Sequence, residues 1–514
     1  MYTSRFQKIV FILTPLILAA FTHLWNPLGF PSVHIDEAHY MRRAMLVLEG
    51  SGPQESANSG YPRTYDHPYF GQLFLAGLLG VTGYPNSLHP TPDVQSIEML
   101  HLVPRAIMGV LAVLDTFLLY KITERRYNKN AALIASVLFA VMPMTWILRR
   151  IYLDTLLMPL LLSSILFAIY IRAPNNNSTK QWPTISINKN VLVILSGIFL
   201  GLAIYTKVPA FTMIPLVGYL VVSNSKSNRK KTLALWLIPV LLIPLLWPAY
   251  AFSIGEFNTW LNSVMFQQGR ASSGTGENLF TAFKDLFKID PISIILGIIG
   301  LVFVGLRKDI WLILWIIPLL LFSYYLGWVQ YFHLIPIFPA FCISIAVTVD
   351  YIMSRMKSQI GRSTIIVLVS ILSLFGLVSM VSLMTLNTNS IHYYAYASVI
   401  KEISQRNNFD NNETSEVTLI GHRMYYWIPR YIFDLEFFLL PNKMPLNYVP
   451  QNFVLVANDG TCCCRCDYFH DLYVATTPKY EFTSEITQYD KSRYPYSSLQ
   501  LETNLGNKVE IRTR

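Results

Sequence analysis

From Ile9 to Leu386 the chain alternates between apolar runs of close to twenty residues and short polar segments. Each run is long enough to cross a hydrocarbon core of roughly 30 Å as a helix. Read by length and flanking charge, the pattern predicts about eleven spanning helices. They cover Ile9 to Trp25, His101 to Tyr120, Ala131 to Leu148, Tyr152 to Ile171, Val191 to Tyr205, Val208 to Val222, Thr232 to Phe252, Pro291 to Leu306, Ile310 to Leu326, Phe332 to Ile352 and Thr364 to Leu386. The run Tyr69 to Tyr84 is shorter and Gly-rich, and it reads as a helix lying on the membrane surface. After Leu386 no spanning run remains. The expected organisation is therefore a mostly α, polytopic membrane part over 1–386 and a small soluble α/β domain over 387–514.

Composition agrees, with 53% hydrophobic and 14% charged residues in 514. The net charge of +10 does not imply nucleic acid, because the basic residues sit in short loops between apolar runs rather than on one patch. With the N-terminus inside, the inner loops collect Lys121, Arg125, Arg126, Lys226, Arg229, Lys230, Lys231, Arg355, Lys357 and Arg362. The positive-inside rule selects that orientation. The long loops Asn26 to Leu100 and Ser253 to Asp290 and the C-terminal domain then share the outer side, as in a multi-pass protein of a cell membrane.

Topology leaves a second set of charges unexplained, those at the outer ends of helices, where a charge near lipid is costly and usually functional. Asp36 and Glu37 follow the first span, and Asp36 also fits a helix N-cap. Asp66 and His67 precede Pro68 and are oxygen and nitrogen donors of kinds a divalent ion accepts, or an ordinary Asx-Pro turn. Arg149, Arg150 and Asp154 occupy one tight outer turn, as an ion pair over a cavity or a salt-bridged turn. Lys207, Arg270 and His333 complete the set, and a snorkelling lysine is the plain alternative for Lys207. Acids from the first half and bases from both halves converge on one face, which suits a substrate carrying a phosphate and a reacting hydroxyl or amine.

In motif order the chain resembles the GT-C superfamily of membrane glycosyltransferases, in the branch holding protein O-mannosyltransferases and lipid A aminoarabinose transferases. The resemblance rests on Asp36-Glu37, Asp66-His67-Pro68, Pro104-Arg105 with Gly109, Pro143 with Arg149, Arg150 and Asp154, Gly197 and Gly201 with Lys207, and Leu334-Ile335-Pro336 with Pro339. It implies a polyprenyl-phosphate-linked sugar as donor, a protein, glycan or lipid as acceptor, and transfer at the extracytoplasmic face. By that resemblance Asp36 is the catalytic acid of the first loop, supported by Glu37 and with Asp154 beside them. Arg105, Arg149, Arg150, Lys207, Arg270 and His333 would bind the donor phosphate. Asp66 stands where the aminoarabinose branch has a metal-binding acid, so a divalent metal ion at Asp66 and His67 is a further expectation. The chain departs from that branch at His67, where the branch has Lys, and at Phe332-His333, where many relatives have a basic residue and Tyr.

Direct displacement with inversion is the simpler chemistry, since no second nucleophilic carboxylate is required. A transporter or lipid flippase is the alternative from another class, because intramembrane charges also mark transport paths. In the C-terminal domain, strands are expected at Val417 to Ile420 and Phe453 to Val456, with a helix near Tyr394 to Gln405. The cluster Cys462 to Cys466 reads as a local disulfide or free thiols, and Asn412-Glu413-Thr414 fits an N-glycosylation sequon.

Overall fold

The structure is a computed structural model and describes residues 5–53, 65–172, 188–225, 228–269, 278–409, 417–439, 452–458, 467–484, 494 and 508–513. Its helices are α1 (Arg5–Leu24), α2 (Ile35–Leu48), α3 (Phe70–Val81), α4 (Val94–Arg126), α5 (Lys129–Val141), α6 (Leu153–Tyr170), α7 (Lys189–Thr206), α8 (Ile214–Asn224), α9 (Arg229–Leu242), α10 (Leu246–Ser253), α11 (Phe257–Gly269) and α12 (Leu279–Ile289). They continue with α13 (Pro291–Leu306), α14 (Trp311–Leu326), α15 (Phe338–Arg355), α16 (Gln359–Met384), α17 (Ser390–Phe409), α18 (Trp427–Ile432) and α19 (Asp467–Val474).

Every predicted span falls on helix. Among the described residues six stretches are long and apolar enough to cross a membrane, two more qualify as bent pairs, and three shorter apolar helices correspond to the remaining predictions. Two features of the longer loops were not anticipated. The loop Ser253 to Asp290 carries α11 and α12, and α12 turns through 116° into α13. The expected surface helix is α3, which buries Gly71, Gln72, Leu75, Ala76 and Leu79 while leaving Val81 90% exposed.

At the centre lies α6, apolar on all sides as a buried helix requires and packed against α4, α7 and α8. The approach of α7 to α9 depends on two glycines. A Cβ on Gly197 would lie 2.4 Å from the Trp236 carbonyl oxygen, and one on Gly201 would lie 2.6 Å from that of Pro239.

Three 3-10 segments interrupt the bundle at Pro143–Arg149, Val208–Met213 and Tyr331–Ile337, each containing a proline. Proline lacks the N–H that would continue an α-helix. Irregular backbone at such depth is tolerated where it is enclosed by protein or lines a cavity. All three segments adjoin predicted site residues, namely Arg149 and Arg150, Lys207, and His333.

Among the described residues the strands all lie beyond residue 416: β1 (Thr418–Gly421), β2 (Phe437–Leu439), β3 (Phe453–Asn458), β4 (Thr477–Thr483) and β5 (Lys508–Thr513). They form one sheet in the order β2-β1-β3-β5-β4, parallel in its first half and antiparallel in its second. Between sheet and membrane bundle lies α17, which contacts both β5 and α4. The segment Arg423–Tyr425 and α18 rest on α2. The Cys462 to Cys466 cluster and the Asn412 sequon lie outside the described residues.

Candidate active site

The site is built around the connection from α1 to α2. Pro27 and Pro31 remove two backbone donors from it, while its carbonyl oxygens all need partners. Side chains from distant elements supply them. Arg149 Nη2 donates to the Trp25 and Asn26 carbonyls at 2.9 and 2.6 Å, and Arg105 Nη1 to those of Pro27 and Pro31 at 3.0 and 2.9 Å. Arg150 Nη2 donates to Ser32 at 3.1 Å. From beyond the last span, Asn389 Nδ2 donates to the Leu28 carbonyl at 2.6 Å and to that of Pro31 at 3.0 Å, while its Oδ1 accepts from Val33 N at 2.7 Å. Arginines expected on a donor phosphate thus hold a loop.

That loop delivers α2, whose N-cap is His34. Its Nδ1 accepts from Asp36 N at 3.2 Å, and Glu37 reaches back to His34 N at 3.4 Å to close a capping box. The capping alternative for Asp36 is therefore corrected: the imidazole does that work, and the Asp36 carboxylate remains available.

Glu37 and Asp36 are neighbours in sequence but point roughly 100° apart around the helix. Glu37 is buried and saturated, accepting from Arg105 Nη2 at 2.8 Å and from Ile151 N at 3.1 Å. Asp36 keeps a side chain 34% exposed. Burial pushes its carboxyl up, the Lys207 ammonium opposes that, Asp66 and Asp154 push it further and Arg150 lowers it, with the balance at about 6. The His34 ring beside it lies 5.5 Å from that of Tyr152, at the start of α6, and 6.0 Å from that of Phe332.

Lys207 C-caps α7, and its Nζ donates to Asp154 Oδ2 at 2.6 Å with both side chains almost entirely buried. The same ammonium lies 5.8 Å from the centre of the Phe332 ring. Asp154, Lys207 and His333 line one crevice of about 20 Å³, room for a single water molecule. His333 is held by its own Nδ1, which accepts from Gln330 N at 3.2 Å, and by the rings of Phe332 and Trp328. Arg150 donates to the Tyr152 hydroxyl at 2.8 Å and lies over the Trp146 and Tyr152 rings.

Asp66 is engaged differently from the expectation. Arg43 Nη2 donates to its Oδ1 at 2.6 Å, and His39 Nε2 lies 3.3 Å from Oδ2. Burial alone would raise this carboxyl, but Arg43, His39 and the charge of His67 overturn that and hold it well below the usual carboxylate range. The His67 ring lies 6.2 Å from that of Tyr40. Among the described residues no group of three His, Cys, Asp or Glu side chains comes together to hold a metal ion. A guanidinium 2.6 Å from the carboxylate does not fit a divalent cation on the same oxygens.

Arg270 lies outside the described residues. Three contributors escaped the sequence reading. Arg43 and Asn389 carry no local signal, since their partners are remote in the chain, whereas His34 stands two residues before Asp36 and its N-cap position was legible.

The helical bundle with its sheet has counterparts among solved membrane proteins. Residues 98–249 match the family model described as dolichyl-phosphate-mannose-protein mannosyltransferase. A search of curated proteins finds no match by sequence. Among solved structures, ArnT from Cupriavidus metallidurans bound to undecaprenyl phosphate is similar over 99% of this chain and 98% of its own, at 12% identity and a TM-score of 0.57. The Archaeoglobus fulgidus oligosaccharyltransferase tethered to an acceptor peptide is similar over 86% of this chain, at 12% identity and a TM-score of 0.54. This chain spans 64% of that enzyme's length.

Proposed function

We propose that this protein is a glycosyltransferase that moves a sugar from a polyprenyl-phosphate carrier to a protein, glycan or lipid acceptor. The observation that carries the reading is the partly exposed Asp36 next to a buried cation: His34, two residues before it, sets its ring 6.0 Å from that of Phe332, and on the same Phe332 ring stands Lys207 at 5.8 Å, paired with Asp154 at 2.6 Å. The full-length likeness to ArnT bound to undecaprenyl phosphate supports the carrier class. The positive-inside distribution supports an extracytoplasmic site.

In this reading the acceptor oxygen or nitrogen attacks the anomeric carbon as the bond from that carbon to the phosphate oxygen breaks. The acceptor proton passes to Asp36, and the carrier leaves as its phosphate. Positive charge develops on the sugar and negative charge on the leaving oxygen. Fixed cations near lipid stabilise the latter more strongly than they would in water. Lys207 is aimed by Asp154 and is assigned that role with Arg150 and His333. Arg105, Arg149 and Glu37 become positioning residues that hold the loop carrying Asp36. No step is routed through a metal at Asp66, because Arg43 already neutralises it.

The test incubates purified protein with a panel of polyprenyl-phosphate sugars together with protein, glycan and lipid acceptor fractions, and follows release of the carrier phosphate. One donor is expected to be consumed and its anomeric configuration inverted in the product. No release from any donor, or retained configuration, would respectively sink the function or the single displacement.

A base must be unprotonated to accept a proton, and Asp36 is raised to about 6. Transfer is therefore expected to be full above neutrality, half-maximal near pH 6 and to fall about tenfold per pH unit below it. A pH–rate profile under single turnover checks this. A rate flat from pH 7 to pH 4.5 would remove Asp36 as the base.

A further inference from the structure

On the membrane face opposite Asp36, a cleft of about 780 Å³ opens between α16 and the bundle. Its shape follows from one glycine. At Gly376 a Cβ would stand 2.7 Å from Met142 Sδ and 3.1 Å from the Val141 carbonyl, so α16 touches α5 closely there. From that contact towards its N-terminus α16 splays away. Gly376, Ser379, Met380, Leu383 and Met384 are its buried residues, whereas Ile366, Val367, Leu368 and Ile371 are more than half exposed.

The walls are apolar, with Leu133, Ile134 and Val137 from α5 facing Ile366, Val369 and Leu374 from α16. The charges, Asp350 and Arg362, sit at the mouth beside Asn130 and Ser354, while of the hydroxyls further in, Thr14, Ser370 and Ser373, those of Thr14 and Ser373 donate to the Val10 and Val369 carbonyls of their own helices. Asp350 accepts from Asn128 at 2.7 Å, and Arg362 donates through Nε to the Met356 carbonyl at 2.9 Å. That bond brings Arg362 to Met356, which Arg355 and Lys357 flank in the chain, so three cations stand against the one acid of the mouth, Asp350. From Arg362 to Gly376 the helix rises roughly 21 Å at about 1.5 Å per residue. That is about the thickness of one leaflet with its headgroups.

An apolar slot one leaflet deep with a cationic rim has the form of an amphiphile. We infer that the cleft binds one anionic glycerophospholipid, with an acyl chain between α5 and α16 and its phosphodiester at Arg362. Juxtamembrane cations attract anionic lipid in this way, each contributing a modest increment. Such a lipid would fill the gap that α16 leaves and fix the helix against α5. The inference is independent of the proposed reaction, since no residue of the cleft belongs to the site around Asp36.

Native mass spectrometry of the full chain, released from micelles containing phosphatidylglycerol, phosphatidylcholine or polyprenyl phosphate, tests it. One phosphatidylglycerol is expected to be retained, with phosphatidylcholine about tenfold less. Arg362→Glu, at the exposed mouth where folding is not at stake, is expected to abolish that preference, and Val137→Trp, which fills the slot, to remove the bound lipid. Unchanged retention in Val137→Trp would overturn the site. Equal retention of the two phospholipids, or preferential retention of polyprenyl phosphate, would overturn the assigned ligand.

Discussion

Replacement of Asp36 by Asn is expected to lower the rate of sugar transfer by about 10³-fold, within the range that a positioned general base contributes, while carrier binding stays within about twofold. The amide keeps the size of the side chain but cannot take the acceptor proton. Lys207, Arg150 and His333, the groups assigned to the carrier phosphate, are untouched. The side chain is 34% exposed and stands 3.8 Å from His34 Nδ1, too far for a hydrogen bond, so the melting temperature should also stay near that of the wild type. Single-turnover transfer with a labelled donor, read beside direct carrier binding and thermal unfolding, separates the three quantities. Wild-type transfer by the Asn variant would remove Asp36 from the chemistry.

The neighbouring substitution should behave in the opposite way. Glu37→Gln leaves Arg105 buried without its carboxylate, and breaking a buried ion pair from one side costs about 3–5 kcal/mol. Arg105 also holds the Pro27 and Pro31 carbonyls, so the loop that presents Asp36 loosens as the pair is lost. The expected result is a fall in melting temperature together with a loss of activity. The double variant Glu37→Gln with Arg105→Met should recover part of the stability, because it no longer strands a charge, but not the activity. A Glu37→Gln protein as stable as the wild type would show that the pair does not hold the loop.

The contrast between these two residues marks what the sequence could reveal. Length and apolarity identified the spans because lipid imposes a minimum run, whereas the 3-10 segments at Pro143, Pro209 and Pro336 lay inside runs read as continuous helix or at their edges. Unexplained charge at helix ends identified the neighbourhood of Asp36, Asp154 and Lys207. Whether an arginine faces a phosphate or a carbonyl is not written in its local context. Arg105 and Arg149 read as phosphate ligands by resemblance, yet their guanidinium groups meet loop carbonyls 74 to 124 positions away. Asp66 read as a metal ligand because Arg43, across the first outer loop, gives no hint that it returns to it. The amphipathic pattern of α12, with Phe280 and Phe287 exposed and Leu286 and Ile289 buried, was present in the sequence but passed over inside a segment read as loop.

The fastening of residues 25–33 has an outcome for biogenesis. Asn389 is made only after the last span, yet it ties down the segment immediately after the first. While the chain is still emerging from the ribosome, its early helices can settle into the bilayer with the Asp36 loop lacking that tether. The complete fastening therefore waits for the arrival of the polypeptide's final quarter.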